Sequence, residues 1–103
     1  MFRLYCEDTR EPDATAAVLK ILDAYGITGA TIYSALGVWR GTRERSLVIE
    51  TTGNQDRVSD VDVTATRARI YSAAESIRQA LQQDAVAVLE SQEDLTLVTA
   101  ERT

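Results

Sequence analysis

The sequence predicts an α+β domain in which two helices cover one face of an antiparallel sheet. Three observations carry that expectation. Short stretches of period two, rich in β-branched residues, alternate with two longer stretches whose apolar residues recur at helical spacing. The signals follow in the order β-α-β-β-α-β, with a short extra strand at the end. The chain has 103 residues, 45% apolar and 26% charged, which is enough for one compact domain over residues 1–103 and not for two. Two helices on one side of such a sheet form the ferredoxin-like arrangement.

Each element has its own warrant. Phe2, Leu4 and Cys6 alternate with Arg3 and Tyr5, which predicts a first strand over 2–6. A polar run from Glu7 to Glu11 ends it. Pro12 and Asp13 then open a helix, because proline needs no N–H in the first turn and an acid suits the helix dipole. Ala14, Ala17, Val18, Ile21, Leu22 and Tyr25 make one helical face, and Gly26 stops the helix in a left-handed conformation. Strands follow over 31–36 and 47–51. Between them, Gly37 to Ser46 reads as a long hairpin loop or bent strand ends, since two glycines bracket a polar run. Turn formers fill 52–61. A second helix over 62–83 presents Ile70, Ala73, Ala74, Ile77, Ala80 and Leu81, while Tyr25 and Tyr71 read as packing residues on the two helices. Residues 85–89 form a nearly continuous apolar run, the pattern of a buried central strand. A last strand is expected over 95–98 and a frayed tail over 101–103. The alanine-rich helix faces bury little area each, so association of subunits would add stability.

Composition excludes several classes of chemistry. The chain contains no histidine and a single cysteine, Cys6. Histidine-dependent triads, histidine-ligated metals, cysteine-rich zinc sites and intrachain disulfides are therefore ruled out. This fits a cytoplasmic protein. The N-terminus lacks the apolar region of a signal peptide, and no stretch approaches a membrane span. A net charge of −5 argues against a nucleic-acid partner and gives no reason for a membrane one. The acidic groups Glu7-Asp8-Glu11 and Asp56-Asp60-Asp62 lack calcium-loop spacing and read as solvated caps and turns. Gly26-x-x-Gly29 is a turn rather than a phosphate loop. Cys6 reads as a small buried apolar residue.

The densest chemical signal lies between Trp39 and Ser46. It holds the only tryptophan and three of the chain's ten arginines, Arg40, Arg43 and Arg45, against Glu44. Arginine forks suit carboxylates or phosphates, and an indole face suits a base ring or a cation. One reading is a loop site for an anionic or zwitterionic small molecule. The other is a solvated hairpin with Trp39 against the sheet. Tyr33 either donates its phenol to such a site or packs on the sheet.

Two family likenesses arise from these residues. Gly37-Val38-Trp39-Arg40-Gly41, followed by Arg43-Glu44-Arg45-Ser46, resembles a family of small bacterial domains of unknown function. The same loop resembles the phage S-adenosylmethionine lyases, through Val38-Trp39-Arg40 and Glu44 before the third strand. A second helix running into Gln83-Asp84-Ala85-Val86-Ala87-Val88 adds to that second likeness. It covers about residues 1–100, mostly as pattern. It implies a PII-like, ferredoxin-like homotrimer with ligand between subunits, beside the loop joining the second and third strands. It also implies cleavage of S-adenosylmethionine to methylthioadenosine and homoserine lactone, with no cofactor or metal. Carried over, Glu44 matches the family's essential glutamate. Tyr33, Trp39, Arg40, Arg43 and Ser46 become expected substrate contacts. The sequence departs from the family in placing Trp39 where a tyrosine is usual, with Tyr33 as the conjectured replacement, and in a shorter loop. A PII-like nucleotide-binding or protein-interaction module without catalysis is the alternative. An acidic inhibitor of a partner protein is a third reading.

Overall fold

A computed structural model describes residues 1–53 and 63–92. Its elements are β1 (Phe2–Glu7), α1 (Ala14–Ala24), β2 (Thr31–Trp39), β3 (Thr42–Thr51), α2 (Val63–Ala80) and β4 (Ala87–Glu90). They form a four-stranded antiparallel sheet of order β2-β3-β1-β4 with two helices, an α+β arrangement compatible with a small ferredoxin-like fold. The expected strand over 95–98, the tail over 101–103 and most of the 52–61 connector lie outside the described residues.

The core forms where the two periodicities meet. Phe2, Leu4 and Cys6 point one way from β1, and their partners Thr51, Ile49 and Leu47 on β3 share that side. The helices fill it with Ala14, Val18 and Leu22 from α1 and Ile70, Ala73, Ala74 and Ile77 from α2, all in one buried cluster. The Tyr25 and Ser76 hydroxyls tie the helices together at 2.7 Å. Tyr71 is not a packing residue as expected; it is half exposed. Ala80 is likewise exposed, because it sits at the rim of the helical face rather than on it.

The helix ends show why the chain turns where it does. Asp13 is the N-cap of α1, its carboxylate accepting from the Ala16 N–H at 3.2 Å, so Pro12 stands ahead of the cap rather than in the first turn. At the other end Gly26 takes φ +71°, its N–H bonding the Asp23 carbonyl while the Ile27 N–H reaches Leu22. This is a Schellman stop with a buried apolar residue after it. The end of α2 repeats the motif: the Gln82 N–H bonds Gln79 and the Gln83 N–H bonds Arg78. Here the left-handed position is held by Gln82, φ +52°, a conformation that costs a non-glycine residue about 1 kcal/mol.

Two expectations change. The segment 37–46 is not a long loop. Pairing between β2 and β3 runs unbroken from Thr31↔Glu50 to Trp39↔Thr42, and only Arg40 and Gly41 turn the chain. Both have positive φ, +50° and +79°, the signature of a type I′ hairpin whose twist matches its strands. The polar composition of this stretch reflects an exposed two-stranded arm, not a loop. Among the described residues the apolar run 85–89 is likewise not a central strand. Among the described residues β4 pairs only with β1 and stands at the sheet edge, fixed to α2 by a bidentate Arg67–Glu90 pair at 2.9 and 2.7 Å.

Candidate functional site

Strand alternation divides the arm's side chains between two faces. Leu36, Val38, Arg43 and Arg45 share the side on which the helices lie farther down the sheet. Trp39, Glu44 and Ser46 point the other way, with Tyr5 and Glu7 of the neighbouring β1. Where the arm leaves the body, these residues bound a cleft of about 350 Å³, closed on the far side by the α2–β4 turn, Gln82 to Ala85.

The walls of the cleft are held by specific contacts. The Gln83 carboxamide accepts from the Glu7 N–H and donates to the Glu7 carbonyl, both at 2.9 Å. β4 begins too late to pair with Glu7, so this side chain stands where strand backbone would otherwise bond. It fixes the turn against β1 and brings Asp84 to the cleft. Gly37 lies opposite Glu44, and a Cβ there would run into the Ser46 hydroxyl. A larger residue would fill the floor.

The cleft has a distinct chemical character. Glu7, Glu44 and Asp84 supply carboxylic side chains, Trp39 and Tyr5 supply rings, and among the described residues no lysine or arginine lines it. Such a lining favours an organic cation with an aromatic part. The Arg40 guanidinium lies 5.5 Å from the Trp39 ring centroid, so the indole already receives one cation. Cys6 borders the cleft as a neutral thiol: burial, and then the charge of Asp8, push it up to about 11. Among the described residues no three His, Cys, Asp or Glu side chains cluster to hold a metal ion.

The structure separates the expected site residues. Trp39, Glu44 and Ser46 come together at the cleft. Arg40 sits in the hairpin turn against Trp39, and Arg43 points to the opposite face, so neither lines it. Tyr33 lies lower on the sheet, with its phenol beside Glu50; that interaction is the main cause of the raised Tyr33 pKa and the lowered Glu50 pKa, with Arg3 also lowering Glu50. Sequence reasoning missed Tyr5, Glu7 and the clamp by Gln83. The alternation of β1 shows which face Tyr5 and Glu7 occupy, but only the strand register shows that they meet the arm. No protein-family model, curated protein or solved structure matches the chain.

Proposed function

We propose that the cleft binds S-adenosylmethionine or a close derivative, and that the chain is a small cytoplasmic lyase acting on it. One observation carries the reading. The cleft joins the two segments that resemble the phage lyases, the Trp39–Ser46 arm and the Gln83–Ala87 stretch, far apart in sequence. Its acidic, aromatic lining suits a substrate that carries a sulfonium and an ammonium.

The chemistry needs little from the protein. A carboxylate oxygen of the substrate bonds to its own γ-carbon, the carbon–sulfur bond breaks, and the electron pair remains on sulfur. The products are homoserine lactone and neutral methylthioadenosine. Because the sulfonium and carboxylate charges both disappear, apolar surroundings at the reacting centre favour the transition state over the ground state. Trp39 and Tyr5 supply that surface. A carboxylate against the sulfonium would lose its partner as the bond breaks, whereas the ammonium keeps its charge throughout. Glu44 therefore acts best by gripping the ammonium and holding the substrate in its reactive fold.

The test is incubation of the purified protein with S-adenosylmethionine in chelator, with methylthioadenosine followed by chromatography. Turnover above the spontaneous rate is expected, falling by about ten- to a hundredfold in Glu44→Gln, the worth of one charged hydrogen bond. Unchanged turnover in that variant removes Glu44 from the role. A binding module without catalysis is the second reading. It is favoured by the position of Tyr33, which lies beside Glu50 and does not line the cleft of its own subunit. Saturable binding with no product would select it.

A further inference from the structure

β2 is an unusual edge strand. It runs nine residues, Thr31–Trp39, with no charged residue and no proline. Its pairing to β3 has no bulge, and among the described residues its outer edge has no partner. Native sheets normally protect a long edge with charges, proline or bulges, because its open backbone groups recruit another strand. This edge has none of these. Of the seven large apolar side chains exposed among the described residues, four lie on it: Tyr33, Leu36, Val38 and Trp39, with Leu36 at 73% and Val38 at 69%.

We infer that β2 pairs with β2 of a second copy of this chain, antiparallel about a two-fold axis at Ala35, and that the partner's Tyr33 completes the cleft. The register follows from geometry. Paired residues must share a face, and only the alignment of Ala35 with itself overlaps all nine residues. It sets Val38 against Ile32 of the copy, Leu36 against Ser34, and Trp39 against Thr31. Above all, it sets Tyr33 of the copy against Gly37. Directly opposed Cβ positions stand about 4.5–5.5 Å apart, and Gly37 has no side chain of its own to meet the ring, which would lie beside the Ser46 hydroxyl that sits over it. Gly37 is the floor of the cleft, on the face that also carries Trp39 and Glu44.

Charge supports a second copy as the occupant. The arm residues 39–46 carry three arginines against Glu44, net +2, while the other described residues carry nine acidic side chains against six basic ones, net −3. Antiparallel pairing lays each arm along the base of the other copy's sheet, basic tip beside acidic body, while the uncharged strands meet without repulsion. The assembly is two-fold, unlike the trimer that the lyase likeness implies.

The role of Tyr33 rests on the proposed function; the pairing does not. Light scattering on the full chain tests the pairing alone. A dimer is expected, and a folded monomer or a trimer overturns it. Ala35→Glu and Ala35→Lys place like charges opposite each other on the two-fold axis. Each variant alone should be monomeric, and an equimolar mixture should recover the dimer, which a mere folding defect would not allow. Retention of the dimer by either variant alone, or no recovery on mixing, overturns the register. S-adenosylmethionine should bind at least tenfold more weakly to monomeric Ala35→Glu and regain its affinity in the mixture. Equal binding by the monomer removes the partner's Tyr33 from the site. A dimer of the expected register that binds no S-adenosylmethionine at all leaves the pairing standing and overturns the lyase reading and the role of Tyr33 that depends on it.

Discussion

The same hairpin is core at one end and surface at the other. In the body, Leu47, Val48 and Ile49 of β3 are at most 2% exposed. A few residues along, the arm keeps the same alternation and the same pairing, yet Leu36 and Val38 stand mostly in solvent. The difference lies in what faces the strands. In the body two helices lie against Leu47 and Ile49, and Tyr5 and Tyr33 flank Val48 on the other side. The arm extends past the helices, so its apolar residues have only their cross-strand neighbours. Alternation says which way a side chain points, and burial depends on whether another element arrives there.

The comparison breaks most visibly on truncation of side chains. Ile49→Ala should cost about 2–5 kcal/mol in urea denaturation, because a fully buried side chain leaves a cavity. Leu36→Ala, measured in dilute protein, should stay within about 0.5 kcal/mol. Similar costs for both would mean that the arm is packed in solution. Gln83→Ala should come next, at about 1–3 kcal/mol, because the Glu7 N–H loses its side-chain acceptor in a partly buried place, while the Glu7 carbonyl keeps the Thr9 N–H. Amide exchange at Glu7 should rise with it, and an unchanged rate would show that the clamp does not hold the end of β1.

Smaller changes sharpen the picture. Gln82→Gly should raise the unfolding free energy by about 1 kcal/mol by relieving the left-handed strain at the end of α2. A loss of stability would mean that the Gln82 side chain contributes more than its backbone costs. The pH effects are the least. Glu75, held down to about 2 first by its hydrogen bonds from Arg78 and then by Gln79, contributes stability that is complete above about pH 4.5 and lost as pH falls towards 2. The pair is exposed, so added salt should reduce the effect. Cys6 works at the other end of the scale. Its raised pKa makes the folded state hold a proton that the unfolded chain releases, so stability falls as pH rises from 9 towards 11. Thiol reagents at pH 8 should label Cys6 only as fast as the chain unfolds; rapid labelling of folded protein would show a reactive thiolate.

The cleft was partly legible beforehand. Trp39, Glu44 and Ser46 stand out because aromatic and charged residues concentrate in one stretch, and the structure does bring them to one place. Arg40 and Arg43 stood out for the same reason but leave the cleft, because a two-residue turn makes the stretch a strand pair with two faces. Tyr5 and Glu7 gave no signal as site residues, and Gln83 stood out only within the 83–88 stretch and not as a clamp, since their importance comes from the strand and turn that lie beside them.

The sequence by itself determined the local elements. It set the inward face of β1, the apolar stripes of α1 and α2, the start of α1 just after Pro12 and the stop at Gly26, because these depend on side-chain spacing and backbone freedom within a few residues. It also determined the absence of histidine chemistry. Only the tertiary structure decided that 85–89 pairs with β1 alone among the described residues, that 37–46 is an arm, and that β1, the arm and the α2–β4 turn enclose one cleft. Register and strand order are set by contacts between residues far apart in the chain. Their energies come from surfaces that meet only after folding, and no local pattern records them.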